Sequence, residues 1–106
     1  MAPSQVAIAT SVLQRLVKEH ASYYKEFDQQ KARIAKLEKG ESDDQENLEY
    51  QIKQERKALE ETKAVIPNVR ENITNAREKL ESILDQATNE DERQKAAKAL
   101  KDAKEV

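Results

Sequence analysis

Residues 6–37 read VAIATSVLQRLVKEHASYYKEFDQQKARIAKL, and within them Val6, Ala9, Leu13, Leu16, His20, Tyr23, Phe27, Gln30, Ile34 and Leu37 step by three and four without a slip. Mostly apolar residues at that spacing share one face of an α-helix, so the stretch predicts a long amphipathic helix. A second ladder runs through Leu48, Ile52, Glu55, Leu59, Thr62, Ile66, Val69, Ile73, Ala76, Leu80, Ile83 and Ala87. Gly40, the only glycine, lies between the two. The expected skeleton is two long helices folded back on each other.

The ends of these helices are marked locally. The Ser4 hydroxyl is placed to cap a first helix over about 4–39, and Gly40 is a natural residue just past its end. Ser42-Asp43-Asp44-Gln45 has the spacing of a capping box and predicts that a second helix opens near 43 and runs to about 87. The connection is then about two or three residues long and the helices are antiparallel. With the turn centred on residue 41, residue i of the first helix is expected opposite about residue 82 − i of the second, which puts Pro67 opposite Arg15. Pro67 interrupts the second ladder without shifting its phase, which predicts a helix kinked at Pro67 but continuous, the ring outward and the carbonyl of Lys63 left to water.

A second capping signature, Asn89-Glu90-Asp91-Glu92, opens a third helix over about 90–105, with Ala96, Ala97, Leu100 and Ala103 as its apolar stripe. One large apolar residue makes that stripe thin. Such a helix has to dock on the hairpin to exist, and its length lets it cover only about residues 72–87 of the second helix. The expected fold is therefore all-α, a single-domain elongated three-helix bundle over 1–106 that is only two helices thick along much of its length.

Composition narrows the function. The 106 residues include 38% charged side chains, one Gly, two Pro and no Cys, which suits a nearly all-helical chain and removes disulfides and thiolate metal sites. Residues 4–39 carry 7 basic and 4 acidic groups, residues 41–87 carry 7 and 12, and residues 88–106 carry 5 of each. A basic first helix beside an acidic second one favours their pairing and makes nucleic acid a poor partner. Met1–Leu16 lacks the pattern of a signal peptide and no apolar run spans a bilayer, so the expectation is a cytoplasmic protein that does not enter membranes. Without a Gly-rich phosphate loop, a Ser/His/Asp set or a ligand cluster, no enzyme is expected.

The segment Arg15-Leu16-Val17-Lys18-Glu19, with Tyr24-Lys25-Glu26, Gln29-Gln30, the Ile66-Pro67 pair, and Ile73, Ala76, Leu80, Ile83 and Leu84, closely resembles the tubulin-binding cofactor A family. The resemblance covers nearly the whole chain in order and at the right length. It implies a three-helix bundle that captures β-tubulin, receives it from the cytosolic chaperonin and holds it before assembly with α-tubulin, with other tubulin cofactors as further hand-over partners. It implies no ATP, GTP or metal requirement, residence in the cytoplasm or at the microtubule cytoskeleton, and a monomer or homodimer.

Read with that resemblance, Arg15, Lys18, Glu19, Tyr24, Lys25 and Pro67 are the candidate partner-binding residues. Tyr24 lies one position off the ladder, where it can serve as an apolar anchor or pack within the protein. His20, without a second His or any Cys, reads as structural. Two rivals remain on sequence grounds: a coiled-coil or spectrin-like spacer, disfavoured by the short third helix, and a self-assembling adaptor.

Overall fold

The computed structural model describes residues 3–106, which form three α-helices: α1 (Gln5–Glu38), α2 (Leu48–Ile83) and α3 (Glu90–Lys104). Short 3-10 turns, Gln45–Asn47 and Leu84–Gln86, precede and follow α2. No strand occurs among the described residues. The chain divides into two compact units, one holding the chain up to His20 together with Asn68–Val106, the other holding Ala21–Pro67.

The predicted caps of α1 form. The Ala7 N–H donates to Ser4 Oγ at 3.1 Å. At the other end Glu41 N donates to Lys36 O at 3.0 Å and Gly40 N to Leu37 O at 2.9 Å, a Schellman motif with Gly40 at φ 80. A side chain there would meet the left-handed penalty, so glycine sets where α1 stops.

The Ser42–Gln45 capping box does not form. Gln45 donates its amide to Gly40 O and Ser42 O, each at 2.8 Å, while the Ser42 hydroxyl accepts from Asp44 N at 3.1 Å. The carbonyls released where α1 ends thus compete for Gln45, and residues 45–47 wind as a 3-10 turn, so that α2 begins at Leu48 rather than near 43. The longer turn shifts the register. Arg33 meets Glu55 at 3.4 Å, Glu38 meets Arg56, and His20 meets Arg70, so residue i lies level with about residue 90 − i. Pro67 is accordingly level with about residue 23, and the expected pairing with Arg15 is wrong.

The α2 helix runs unbroken through Pro67, whose ring is exposed as expected. It ends at Ile83 instead of 87 because Leu84–Gln86 tighten into the 3-10 turn that leads to α3. There Asn89 caps α3 by accepting from Glu92 N at 2.8 Å. The Glu92 carboxylate reaches one residue further back than a capping box would, accepting from Thr88 N at 3.1 Å, from Thr88 Oγ1 at 2.8 Å and from Ser4 Oγ at 2.8 Å. The backbone bond from Thr88 and then the Ser4 and Thr88 hydroxyls hold this carboxyl below its usual range. One side chain therefore joins the starts of α1 and α3.

The first unit has a three-sided core: Val6, Ala9 and Leu13 of α1, Val69, Ile73 and Leu80 of α2, and Ala96, Ala99 and Ala103 of α3 are buried. Ala99 takes the place expected of Ala97, which is exposed, and Leu100 is half-buried. The buried set of α3 repeats at three and four, and alanines let it approach closely. Thr10, off the ladder, is also buried and returns its hydroxyl to Val6 O at 2.8 Å.

The second unit is a two-helix hairpin and buries far less. Among the described residues only Ile34 and Ile66 are buried apolar residues there, beside the polar Gln30 and Thr62, and Gln30 Oε1 has no hydrogen-bond partner. Tyr23, Phe27, Leu37, Ile52 and Leu59 are half-buried. Two helices alone cannot cover a ladder residue on all sides.

Candidate protein-interaction surfaces

The six candidate residues divide between the units. Arg15, Lys18 and Glu19 belong to the first and are exposed, as off-ladder positions on a helix must be. Beside them His20 is buried, and Arg70 Nε donates to its Nε2 at 3.2 Å. Accepting at Nε2 requires a neutral ring with its proton on Nδ1. Burial first, and then the Arg70 charge, lower its pKa from 6.5. The ring acts as an internal hydrogen-bond acceptor, in line with the structural role read from sequence.

Tyr24, Lys25 and Pro67 belong to the second unit, where Lys25 and Pro67 are exposed and Tyr24 is half-buried. The Tyr24 ring meets Phe27 edge to face, with centroids 6.5 Å apart and planes at 74°. Lys31 Nζ lies 4.6 Å from the Phe27 ring centre and 3.5 Å from an Asp28 carboxylate oxygen. Tyr24 is thus one member of an aromatic and cationic group along α1 rather than an isolated anchor. The register brings Pro67 level with this neighbourhood, whereas the Arg15 segment lies in the other unit.

Two residues absent from the sequence-based set are the most exposed large hydrophobic groups within the helices: Ile8 at 45% and Tyr50 at 63%. Each falls between ladder positions, Ile8 between Val6 and Ala9 and Tyr50 between Leu48 and Ile52, and that misplacement was the available signal. Tyr50 and Leu37 line a groove of about 400 Å³ near the turn of the hairpin, across which Arg33 and Glu55 pair. Among the described residues no His, Cys, Asp or Glu cluster is arranged to hold a metal, and no helix is long and apolar enough to cross a membrane. What these helices offer is solvent-facing flank, which defines the class: an all-α, three-helix protein suited to binding other macromolecules through its helix surfaces.

Comparison with known proteins places the chain within that class. Its residues 1–106 match tubulin binding cofactor A. Tubulin-specific chaperone A of Saccharomyces cerevisiae is 33% identical over 106 residues, covering 100% of this chain and 96% of the yeast protein. Tubulin-specific chaperone A of Homo sapiens is 37% identical over 81 residues, 76% of this chain and 70% of the human one. The crystal structure of tubulin folding cofactor A from Arabidopsis thaliana superposes with a TM-score of 0.80 at 28% identity, covering 95% of this chain and 94% of that one. The chain belongs to the tubulin binding cofactor A family.

Proposed function

We propose that this chain is a tubulin-folding chaperone that captures β-tubulin and holds it during folding and assembly with α-tubulin. The observation that carries the reading is family membership across all 106 residues. Its yeast and human relatives bear the name of a tubulin-specific chaperone, and the fold is shared with tubulin folding cofactor A of Arabidopsis thaliana. Capture is stoichiometric: helix flanks cover client surface that is otherwise buried in the α/β dimer, and release follows by mass action or hand-over. The client arrives from the cytosolic chaperonin, can pass to other tubulin cofactors, and is held in the cytoplasm without ATP, GTP or metal. Contacts come from Arg15, Lys18 and Glu19 in the first unit and from Tyr24, Lys25 and Pro67 in the second.

The charged residues of that set are exposed, so their removal leaves the fold intact at a cost below about 0.5 kcal/mol. A tagged chain incubated with cell extract tests the reading directly. Recovery of β-tubulin without α-tubulin is expected. Recovery of the intact α/β dimer alone would indicate a microtubule-associated spacer, and recovery of neither subunit would remove tubulin from the account.

A further inference from the structure

The three-helix unit has a flank that α3 leaves open. Toward α3, the α1 helix presents Ala7, Thr10, Ser11 and Gln14. On another flank Gln5, Ile8 and Val12 face Ala76 and Lys79 of α2 across a shallow groove, with the buried Ala9 beneath them. A second depression shares Ile8 and Val12 with it and is otherwise lined by Pro3, Ala7, Ser11 and Arg15. Ile8 is 45% exposed, and Val12 and Ala76 are half-buried, so the groove has an apolar floor open to solvent.

Its charge is one-sided. Lys79 is the charged residue that lines the groove and Arg15 the one that lines the adjoining depression, and among the described residues no carboxylate lines either. Neither cation forms an ion pair among the described residues. By contrast, the groove beside Tyr50 holds both signs, with Arg33 already paired to Glu55, so it selects no partner charge. The α1/α2 pair also shows how it accepts a helix: α3 docks in this unit through Ala96, Ala99 and Ala103, spaced by three and four.

We propose that the Ile8–Val12–Ala76 groove binds an amphipathic helix of the tubulin client, one that sets apolar side chains against Ile8 and Val12 and carboxylates against Arg15 and Lys79. The assignment rests on the β-tubulin reading and adds to it a location and a partner chemistry. Helix-in-groove recognition takes its affinity from the apolar anchors, and the flanking cations set orientation and reject basic segments.

The test is capture of β-tubulin from extract by the full-length chain and three variants across a salt series. Ile8→Asp places a charge on the apolar floor at a solvent-facing position, so folding measured by circular dichroism should be retained while capture falls at least about fivefold. The double reversal Arg15→Glu, Lys79→Glu should cause a similar loss at low salt that shrinks as salt rises. Lys98→Glu, on the α3 side, should capture normally. If the parent chain holds β-tubulin and both groove variants hold it equally well, the groove assignment fails while the β-tubulin reading stands. Should sedimentation then show a parent dimer that Ile8→Asp dissolves, the groove belongs to a second copy of the chain. A parent chain that holds no β-tubulin overturns both.

Discussion

Leu80 is fully buried, at 0% exposure, in the three-helix unit, and its replacement by alanine measures how much of the stability resides there. The substitution removes three carbons. At about 0.8 kcal/mol per buried methylene the transfer loss is roughly 2.4 kcal/mol, and a residual cavity between three packed helices brings the total to about 3 kcal/mol. Leu59 in the two-helix unit offers the comparison, since it is half-buried on the same ladder. About half the transfer loss applies, and water can enter the space, so Leu59→Ala should cost only about 1 kcal/mol. With a urea dependence of about 1–1.5 kcal/mol per molar for a small helical chain, the unfolding midpoint should fall by roughly 2–3 M for Leu80→Ala and by under about 1 M for Leu59→Ala. Native-state hydrogen exchange should show the same order, with amides of Ala21–Pro67 opening more readily than those around Leu13, Ile73 and Leu80. Equal midpoint shifts, or a larger one for Leu59→Ala, would refute the argument that burial by a third helix concentrates stability in the first unit.

Gly40→Ala should destabilise the chain by about 1 kcal/mol through the positive φ alone, because the added methyl meets no neighbour within 4 Å; urea unfolding will read it. Pro67→Ala restores a backbone donor within α2 and should raise the melting temperature, by up to about 3 kcal/mol of stability, while unchanged β-tubulin capture would remove Pro67 from the proposed contacts. Tyr24→Ala should weaken capture by at least about 1 kcal/mol if the Tyr24–Phe27 group meets the client, as titrated pull-down will show. For His20, whose folded pKa lies below 6.5, the neutral ring favours the fold: the contribution is complete above pH 6.5 and is lost as pH falls from there through the lowered folded value. The urea midpoint of the parent should therefore decline below pH 6.5 more steeply than that of His20→Gln, and equal slopes would show that the Arg70 contact is not coupled to protonation.

Features governed by neighbours within one helical turn were legible without a structure. Ser4, Gly40 and Asn89 act as caps because each bond spans only a few residues, and a ladder spaced by three and four needs nothing beyond helical geometry to place Leu13, Ile73 and Leu80 on a buried face. The charged candidates Arg15, Lys18, Glu19 and Lys25 lie off the ladder, and for the same reason they are exposed.

Other features depend on which chain segments meet. Gln45 could cap α2 or satisfy the carbonyls of Gly40 and Ser42; the geometry of the turn selects the second, and that choice moves the register and brings Pro67 level with about residue 23. Ala99 rather than Ala97 is buried because the rotation of α3 is set by what it packs against, not by its own alanines. The exposure of Ile8 likewise reflects docking: α3 covers the Ala7–Thr10 side of α1 and leaves the Ile8 flank open. Helix formation is a short-range property of the sequence, while register, helix rotation and the uncovered flank arise from long-range packing, which no single segment encodes.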